Sequence, residues 1–176
     1  MKPAPARAAS DLPVAEPAPD LSPLPDLVGY ALRRTHMAVF RRFREAFADY
    51  DIRPVQLGVL TVVLNNPGLK QTAVGAALGI KRTNFGPLLD GLMARGLIER
   101  KRLESDRRAL GLYLSPLGQT LVAELQAREA AFERQISATI GDEGRRDLLR
   151  LLGQIAAGCR GSSAEDDEPE TDGDVP

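Results

Sequence analysis

The chain has 176 residues, 43% of them apolar, with five Phe, three Tyr and no Trp, which suits one core of ordinary domain size filled by Leu, Val, Ile and Ala. Its formal charge of −1 conceals an uneven distribution, because seven of the 24 carboxylates follow Gly161 and leave 17 against 23 Lys and Arg before it. The part expected to fold is therefore basic. One Cys excludes an internal disulfide, and one His with no glycine-lysine phosphate loop leaves no nucleophile with its base, no metal cluster and no nucleotide cradle; neither an enzyme nor a cofactor is expected. With no apolar run of about 20 residues and no signal-peptide pattern, the expectation is a soluble cytoplasmic protein without a membrane partner.

Residues 1–25 hold seven of the 13 prolines, interleaved with Ala. Such a composition cannot bury enough surface to offset ordering, and it reads as a disordered arm. A folded core is expected over 26–160. Within it Leu32, His36, Val39, Phe43, Phe47 and Tyr50 recur at steps of three and four and predict one face of a long helix over 26–50. Pro54 at a first turn and Asn65-Asn66-Pro67-Gly68 bound a second helix. A short third helix over 71–78 stops at Gly79; a fourth starts near Arg82, carries Leu88, Leu89, Leu92 and Met93, and ends at Gly96. Two short helices joined by a glycine turn make a helix-turn-helix. Pro87 fits the fourth helix if Asn84 is the cap and Pro87 the third helical residue, since deeper placement removes a backbone hydrogen bond.

The period then changes. Residues 97–100 and 110–114 read as strands around the charged turn Glu104-Ser105-Asp106-Arg107-Arg108, a hairpin that forms a wing beside the helix pair. Leu117, Leu121, Leu125, Arg128, Phe132, Ile136 and Ile140 mark a helix of about 25 residues, and Leu148, Leu151, Leu152 and Ile155 a final shorter one. Residues 161–176 carry seven carboxylates and no cation and are expected to be a disordered acidic tail, acting as a solubiliser or as a competitor for the basic face. The expected fold class is mainly α with a small β wing: a winged helix-turn-helix lobe over 53–115, with a helical dimerisation region from 26–50 and 116–158. The terminal helices have more apolar stripe than a small winged domain covers, and a second copy in a two-fold dimer would bury it.

Several of these segments form an ordered series. Arg53-Pro54-Val55-Gln56 opens a helix, Asn66-Pro67-Gly68 closes it, and Leu78-Gly79-Ile80 makes the turn. Gly91-Leu92-Met93-Ala94-Arg95-Gly96-Leu97-Ile98 leads into the wing, where Asp106-Arg107-Arg108-Ala109 precedes Leu112-Tyr113-Leu114-Ser115-Pro116-Leu117-Gly118. The series resembles the multiple antibiotic resistance regulator (MarR) family over residues 27–155. The resemblance implies a dimer built from the N- and C-terminal helices, with two winged lobes on a pseudo-palindromic operator, usually a repressor released by a small molecule. It further implies aromatic or phenolic acids as effectors, sometimes as coenzyme A thioesters, bound between the helical region and the DNA-binding lobe.

Lys81, Arg82, Thr83 and Asn84 open the helix that would enter the major groove, where Arg forks onto guanine and Asn onto adenine. The plain alternative is a polar helix start capped by Thr83 or Asn84. From Lys81 to Arg108 eight cations face four acids, the charge footprint of a nucleic-acid surface. In the wing, Arg102, Arg107 and Arg108 are candidates for phosphate or minor-groove contact, and the resemblance gives Asp106 the role of orienting an arginine. For the effector, the resemblance points to Tyr30, Arg33, His36, Val39 and Phe40, joined by Arg53, Leu57 and Leu60; Arg33 or His36 can hold a carboxylate by a charge-assisted bond. A lone His on an apolar stripe also reads as a core residue, and Cys159 as a small packing residue. The expected partners are double-stranded operator DNA, a second copy and a small aromatic acid. The alternative is a winged-helix protein- or RNA-interaction module without operator binding, which would lack sequence-specific DNA binding.

Overall fold

The computed structural model describes residues 19–103 and 108–160. Most of the expected arm, the acidic tail, and the wing residues Asp106 and Arg107 lie outside the described residues. The chain divides into two units, 1–38 and 39–176. In the first, a 3-10 turn at Leu24–Asp26 precedes the N-terminal half of helix α1, Val28–Ala46. Its described side chains are exposed apart from half-buried Tyr30.

The second unit contains the rest of α1, then α2 (Pro54–Asn65), α3 (Gln71–Ala77), α4 (Arg82–Ala94), β1 (Ile98–Arg102), β2 (Leu110–Leu114), α5 (Pro116–Ser137) and α6 (Gly141–Arg160). The helical class with one small antiparallel sheet is as expected. Helix α2 is apolar around most of its circumference because it sits in the middle: Leu57, Val59, Leu60 and Val63 are buried, and the helix packs on α3, α5 and β2. Val74 of α3, Phe85, Leu89 and Leu92 of α4, Leu112 of β2, and Val122 and Leu125 of α5 complete one core.

Helix α1 stops at Ala46 rather than continuing to Tyr50. The Arg128 side chain of α5 donates from Nε to the Ala46 carbonyl at 2.7 Å, satisfying one of the acceptors a helix end leaves open. A 3-10 turn at Ala48–Tyr50 and a left-handed Asp51, φ 45°, then redirect the chain. Phe47 stacks on Phe43 at 4.1 Å and meets Phe132 edge-on at 5.9 Å. These contacts tie the end of α1 to α5. They also explain Arg128 within the apolar stripe of α5: it is an end cap for another helix.

Between α3 and α4 the turn residue Gly79 has φ +65°, and Ile80 N–H bonds the Gly75 carbonyl at 2.9 Å. A side chain at Gly75 would sit 3.3 Å from the Phe85 ring, so glycine lets the two helices approach. Helix α4 starts at Arg82 as expected, but its cap is Lys81 and Asn84 is its third residue, so Asn84 is not the cap that would have made Pro87 the third helical residue. Pro87 is consequently the sixth residue and lies inside the helix, where it cannot donate to the Thr83 carbonyl. Core contacts of Phe85, Leu89 and Leu92 offset that loss. Pro87 is exposed, so Pro87→Ala should raise unfolding stability by about 1–3 kcal/mol, measurable by urea denaturation.

The hairpin pairs Ile98 with Leu114, Arg100 with Leu112 and Arg102 with Leu110. A third short segment joins it: Gly68 N–H donates to Leu112 O at 2.8 Å, and Leu112 N–H to Leu69 O at 3.0 Å. Buried Ser115 links the wing to α5, its Oγ donating to Gly96 O at 2.5 Å and accepting from Gly118 N–H at 2.9 Å. Helix α6 has 20 residues, slightly shorter than the 22 of α5, and Leu148, Leu149, Leu151 and Ile155 on it are exposed. Cys159, expected to pack, is also exposed in the single chain.

Candidate functional site

Helix α4 divides by period. Phe85, Leu89 and Leu92 point into the core, which leaves Arg82, Thr83, Asn84, Pro87 and Asp90 exposed together with the cap Lys81. Thr83 Oγ1 lies 3.5 Å from Asn84 Oδ1; Arg82 has no hydrogen bond or ion pair to another described residue. The first turn of α4 therefore presents two cations, a hydroxyl and an amide outward on a rigid element, the groups that read base edges.

The wing is held to α3 and to the middle of α4 by a residue that the sequence reading did not single out. Arg100 of β1 reaches from Nη2 to Gln71 Oε1 of α3 at 3.1 Å and to Asp90 Oδ1 of α4 at 3.4 Å. One guanidinium thus fixes the sheet against both helices of the helix-turn-helix. Both contacts come from the one nitrogen, which has two hydrogens to donate. A groove of about 500 Å³ runs between the start of α3 and the hairpin, lined by Lys70, Gln71, Thr72, Arg100, Arg108 and Leu110. Lys70, Arg100 and Arg108 give that groove a positive lining suited to a phosphate backbone. Arg102, at the β1 end, is exposed. Lys101 lies 5.6 Å from the centre of the Tyr113 ring and pairs with Glu99 at 2.8 Å, so it is engaged within the sheet.

A second charged feature joins α4 to the end of α1. Arg95, just past α4, donates from Nη1 to Asp51 O at 2.5 Å and from Nη2 to Tyr50 O at 3.0 Å. The turn that Arg95 grips also walls a cavity of about 530 Å³ lined by Phe40, Arg44, Phe47, Asp51, Ile52 and Arg53. Of the expected effector residues, Phe40 and Arg53 line this cavity. Leu57 and Leu60 are buried in the core, and Val39 packs against it. Arg33 and His36 are exposed on the N-terminal half of α1.

On α5, burial and then the neighbouring Glu133 raise the carboxyl of Glu129 above its ordinary value of 4.5. Glu133 itself pairs with Arg145 of α6 at 3.5 Å. A raised carboxyl pKa means that the folded state disfavours the charge, a penalty absent below pH 4.5 and incurred as pH rises above it. Glu129→Gln should therefore increase stability at neutral pH and lose that advantage below the ordinary carboxyl range, as thermal melts across pH would record. Among the described residues no group of three or more His, Cys, Asp or Glu is placed to hold a metal, and no helix is long and apolar enough to cross a membrane.

Comparison with known proteins gives a consistent picture. A family model described as MarR family matches residues 50–109. A protein described as a transcriptional regulator for the hcr operon of Thauera aromatica is 31% identical over 129 residues, covering 73% of this chain and 78% of its own. The regulator PecS of Dickeya dadantii is 25% identical over 140 residues, covering 78% and 84%. Among solved structures, the transcriptional repressor CouR bound to a 23-mer DNA duplex is 36% identical with a TM-score of 0.74, over 80% of this chain and 99% of that one. CouR bound to p-coumaroyl-CoA is 35% identical with a TM-score of 0.73, over 78% and 96%.

Proposed function

This chain belongs to the MarR family of winged helix-turn-helix transcriptional regulators, and from that membership we infer that it acts as a homodimeric repressor of a pseudo-palindromic operator, released by an aromatic acid or its coenzyme A thioester. The observation that carries the reading is the exposed Lys81, Arg82, Thr83 and Asn84 turn of α4, on a helix that an arginine-bearing wing grips at Asp90. Recognition proceeds with the start of α4 in the major groove, where Arg82 and Asn84 contact base edges, while Arg102, Arg107 and Arg108 of the wing meet phosphates or the minor groove and Asp106 orients an arginine.

Two copies are required because one lobe reads one half-site, and a two-fold dimer matches a palindrome. The exposed apolar residues of α6, and separately those of the start of α1, among them Leu32 and Met37, are stretches that a second copy would cover. Sedimentation should give twice the 19.0 kDa chain mass. The effector half of the reading is supported by the p-coumaroyl-CoA complex of CouR and by Phe40 and Arg53 at the cavity beside α4. The remaining proposed effector contacts are Tyr30, Arg33, His36 and Val39, with Leu57 and Leu60 as apolar backing.

The test is binding of the purified chain to its own promoter region, with and without hydroxylated and methoxylated aromatic acids and their thioesters. Sequence-specific binding lost with one compound supports the reading; no sequence-specific binding under any condition overturns it. Phosphate contact by the wing has its own signature. Arg108→Ala should reduce the slope of log affinity against log salt by about one unit, measured by anisotropy over a salt series.

A further inference from the structure

Helix α4 carries one acid, Asp90, and it lies on the outward side. Arg82, Thr83, Pro87 and Asp90 are exposed there, with Gly86 between them, because steps of three and four repeat one face of a helix. Asp90 stands about 12 Å along the axis from Arg82. That is about the width of the major groove, so a helix whose first turn meets base edges carries Asp90 to the level of the phosphates. A bare carboxylate there repels the duplex. The Asp90 side chain is 68% exposed, and its pair with Arg100 at 3.4 Å is of the solvated kind that adds little to stability. Neither the core nor charge complementarity to DNA accounts for this acid.

What Asp90 does hold is a guanidinium. Arg100 lies in the middle of β1, opposite buried Leu112, and its Nη2 donates to Asp90 Oδ1 and to Gln71 Oε1. Acceptors on two helices fix the plane of the group. Its Nε and Nη1 make no hydrogen bond to another described residue, which leaves their N–H groups to donate elsewhere. Arg100 also lines the groove that holds Lys70 and Arg108. We propose that Asp90 is a specificity-positioning residue: with Gln71 it orients Arg100 so that the remaining N–H groups bind one operator phosphate in this groove, in a geometry that only the correctly registered duplex satisfies. The proposal rests on the operator-binding reading above. In the registered complex a fixed guanidinium gains more from a phosphate than a mobile one, since less side-chain freedom is lost on binding. On an unregistered duplex the carboxylate only repels. Asp90 thus widens the gap between right and wrong sites from both directions.

The experiment uses the full chain and anisotropy over a salt series, with two duplexes of equal length, one from the chain's own promoter region and one scrambled. Asp90→Asn should bind the scrambled duplex about threefold tighter, the effect of removing one repulsive charge. Its discrimination between the two duplexes should nevertheless fall about tenfold, the equivalent of one charge-assisted hydrogen bond. Arg100→Ala should weaken binding to the promoter duplex about tenfold and reduce the salt slope by about one unit. Arg100→Lys should keep the slope and lose the discrimination, because an ammonium lacks the planar fork. Gln71→Glu added to Asp90→Asn offers Arg100 a carboxylate from α3 at the net charge of the unaltered chain, and should restore discrimination. Melting temperatures of these variants should stay close to that of the unaltered chain, because the pair is exposed.

An equal gain for both duplexes in Asp90→Asn overturns the proposal, since that is what an ordinary surface acid gives. An unchanged salt slope in Arg100→Ala removes the phosphate contact. A large fall in melting temperature in Asp90→Asn, with discrimination not rescued by Gln71→Glu, makes the pair a brace of the hairpin and overturns the positioning role. If the unaltered chain does not discriminate between the duplexes, the operator reading itself fails and takes the specificity role with it; the slope of Arg100→Ala on the scrambled duplex still decides the phosphate contact.

Discussion

Replacing Arg82 with alanine is expected to lower affinity for the cognate operator roughly 10- to 100-fold, the about 1–3 kcal/mol carried by one bidentate base contact. Arg82 is the first residue of α4 and exposed, and its guanidinium has no ion pair or hydrogen bond to another described residue. The melting temperature should therefore not move. Anisotropy at one fixed salt concentration, on the operator and on a scrambled duplex, separates the two parts of the loss. Arg82→Lys should restore the charge-driven affinity for both duplexes without restoring the discrimination between them, because an ammonium cannot fork onto guanine. Unchanged discrimination in Arg82→Ala would transfer the base reading to Thr83 and Asn84.

The largest effect on stability is expected at Phe47. Its ring is 1% exposed, stacked on Phe43 and set edge-on against Phe132. Truncation to alanine should cost about 3–5 kcal/mol, a burial loss plus the cavity that a packed site cannot close. For a chain of this length that corresponds to a fall in melting temperature of roughly 6–20 °C, readable by circular dichroism. Phe47 also walls the proposed effector cavity, so loss of effector response in this variant would report unfolding of the turn before it reported ligand contact. The exposed Arg53 is a better probe of binding for that reason. A fall of less than about 1 kcal/mol would mean that the aromatic cluster does not anchor α1 to α5.

Much of the architecture was legible from periodicity and terminators. The steps of three and four from Leu117 onward located α5, and Pro54 and Asn66-Pro67-Gly68 bracketed α2, observed as Pro54–Asn65. The strand at 110–114 was found at its observed bounds, because alternating apolar residues between a charged turn and Ser115-Pro116 leave few other choices. The start of α4 near Arg82 was legible, but its cap and the place of Pro87 were not. Local rules favour Asn as a cap and place Pro in the first turn, whereas Phe85 must be helical to reach the core beside Gly75. That packing holds the helix start at Arg82 and leaves Pro87 inside. The end of α1 was misread for a similar reason, since the apolar period continues to Tyr50 while Arg128 terminates the helix at Ala46.

The candidate interface was legible as a list of side chains and not as a scaffold. Lys81, Arg82, Thr83 and Asn84 were singled out as candidates by their place after a glycine turn, and those in the wing by charge. Arg100 and Arg95 were not, because an arginine in a basic stretch reads as solvated until its acceptors are known. The sequence by itself determined which segments are helix or strand and which face of each is apolar, since these follow from periods and turn residues acting over a few positions. Only the tertiary structure decided which guanidinium closes which helix and which turn bears on α4, because Arg100, Arg95 and Arg128 reach acceptors 29, 44 and 82 residues away.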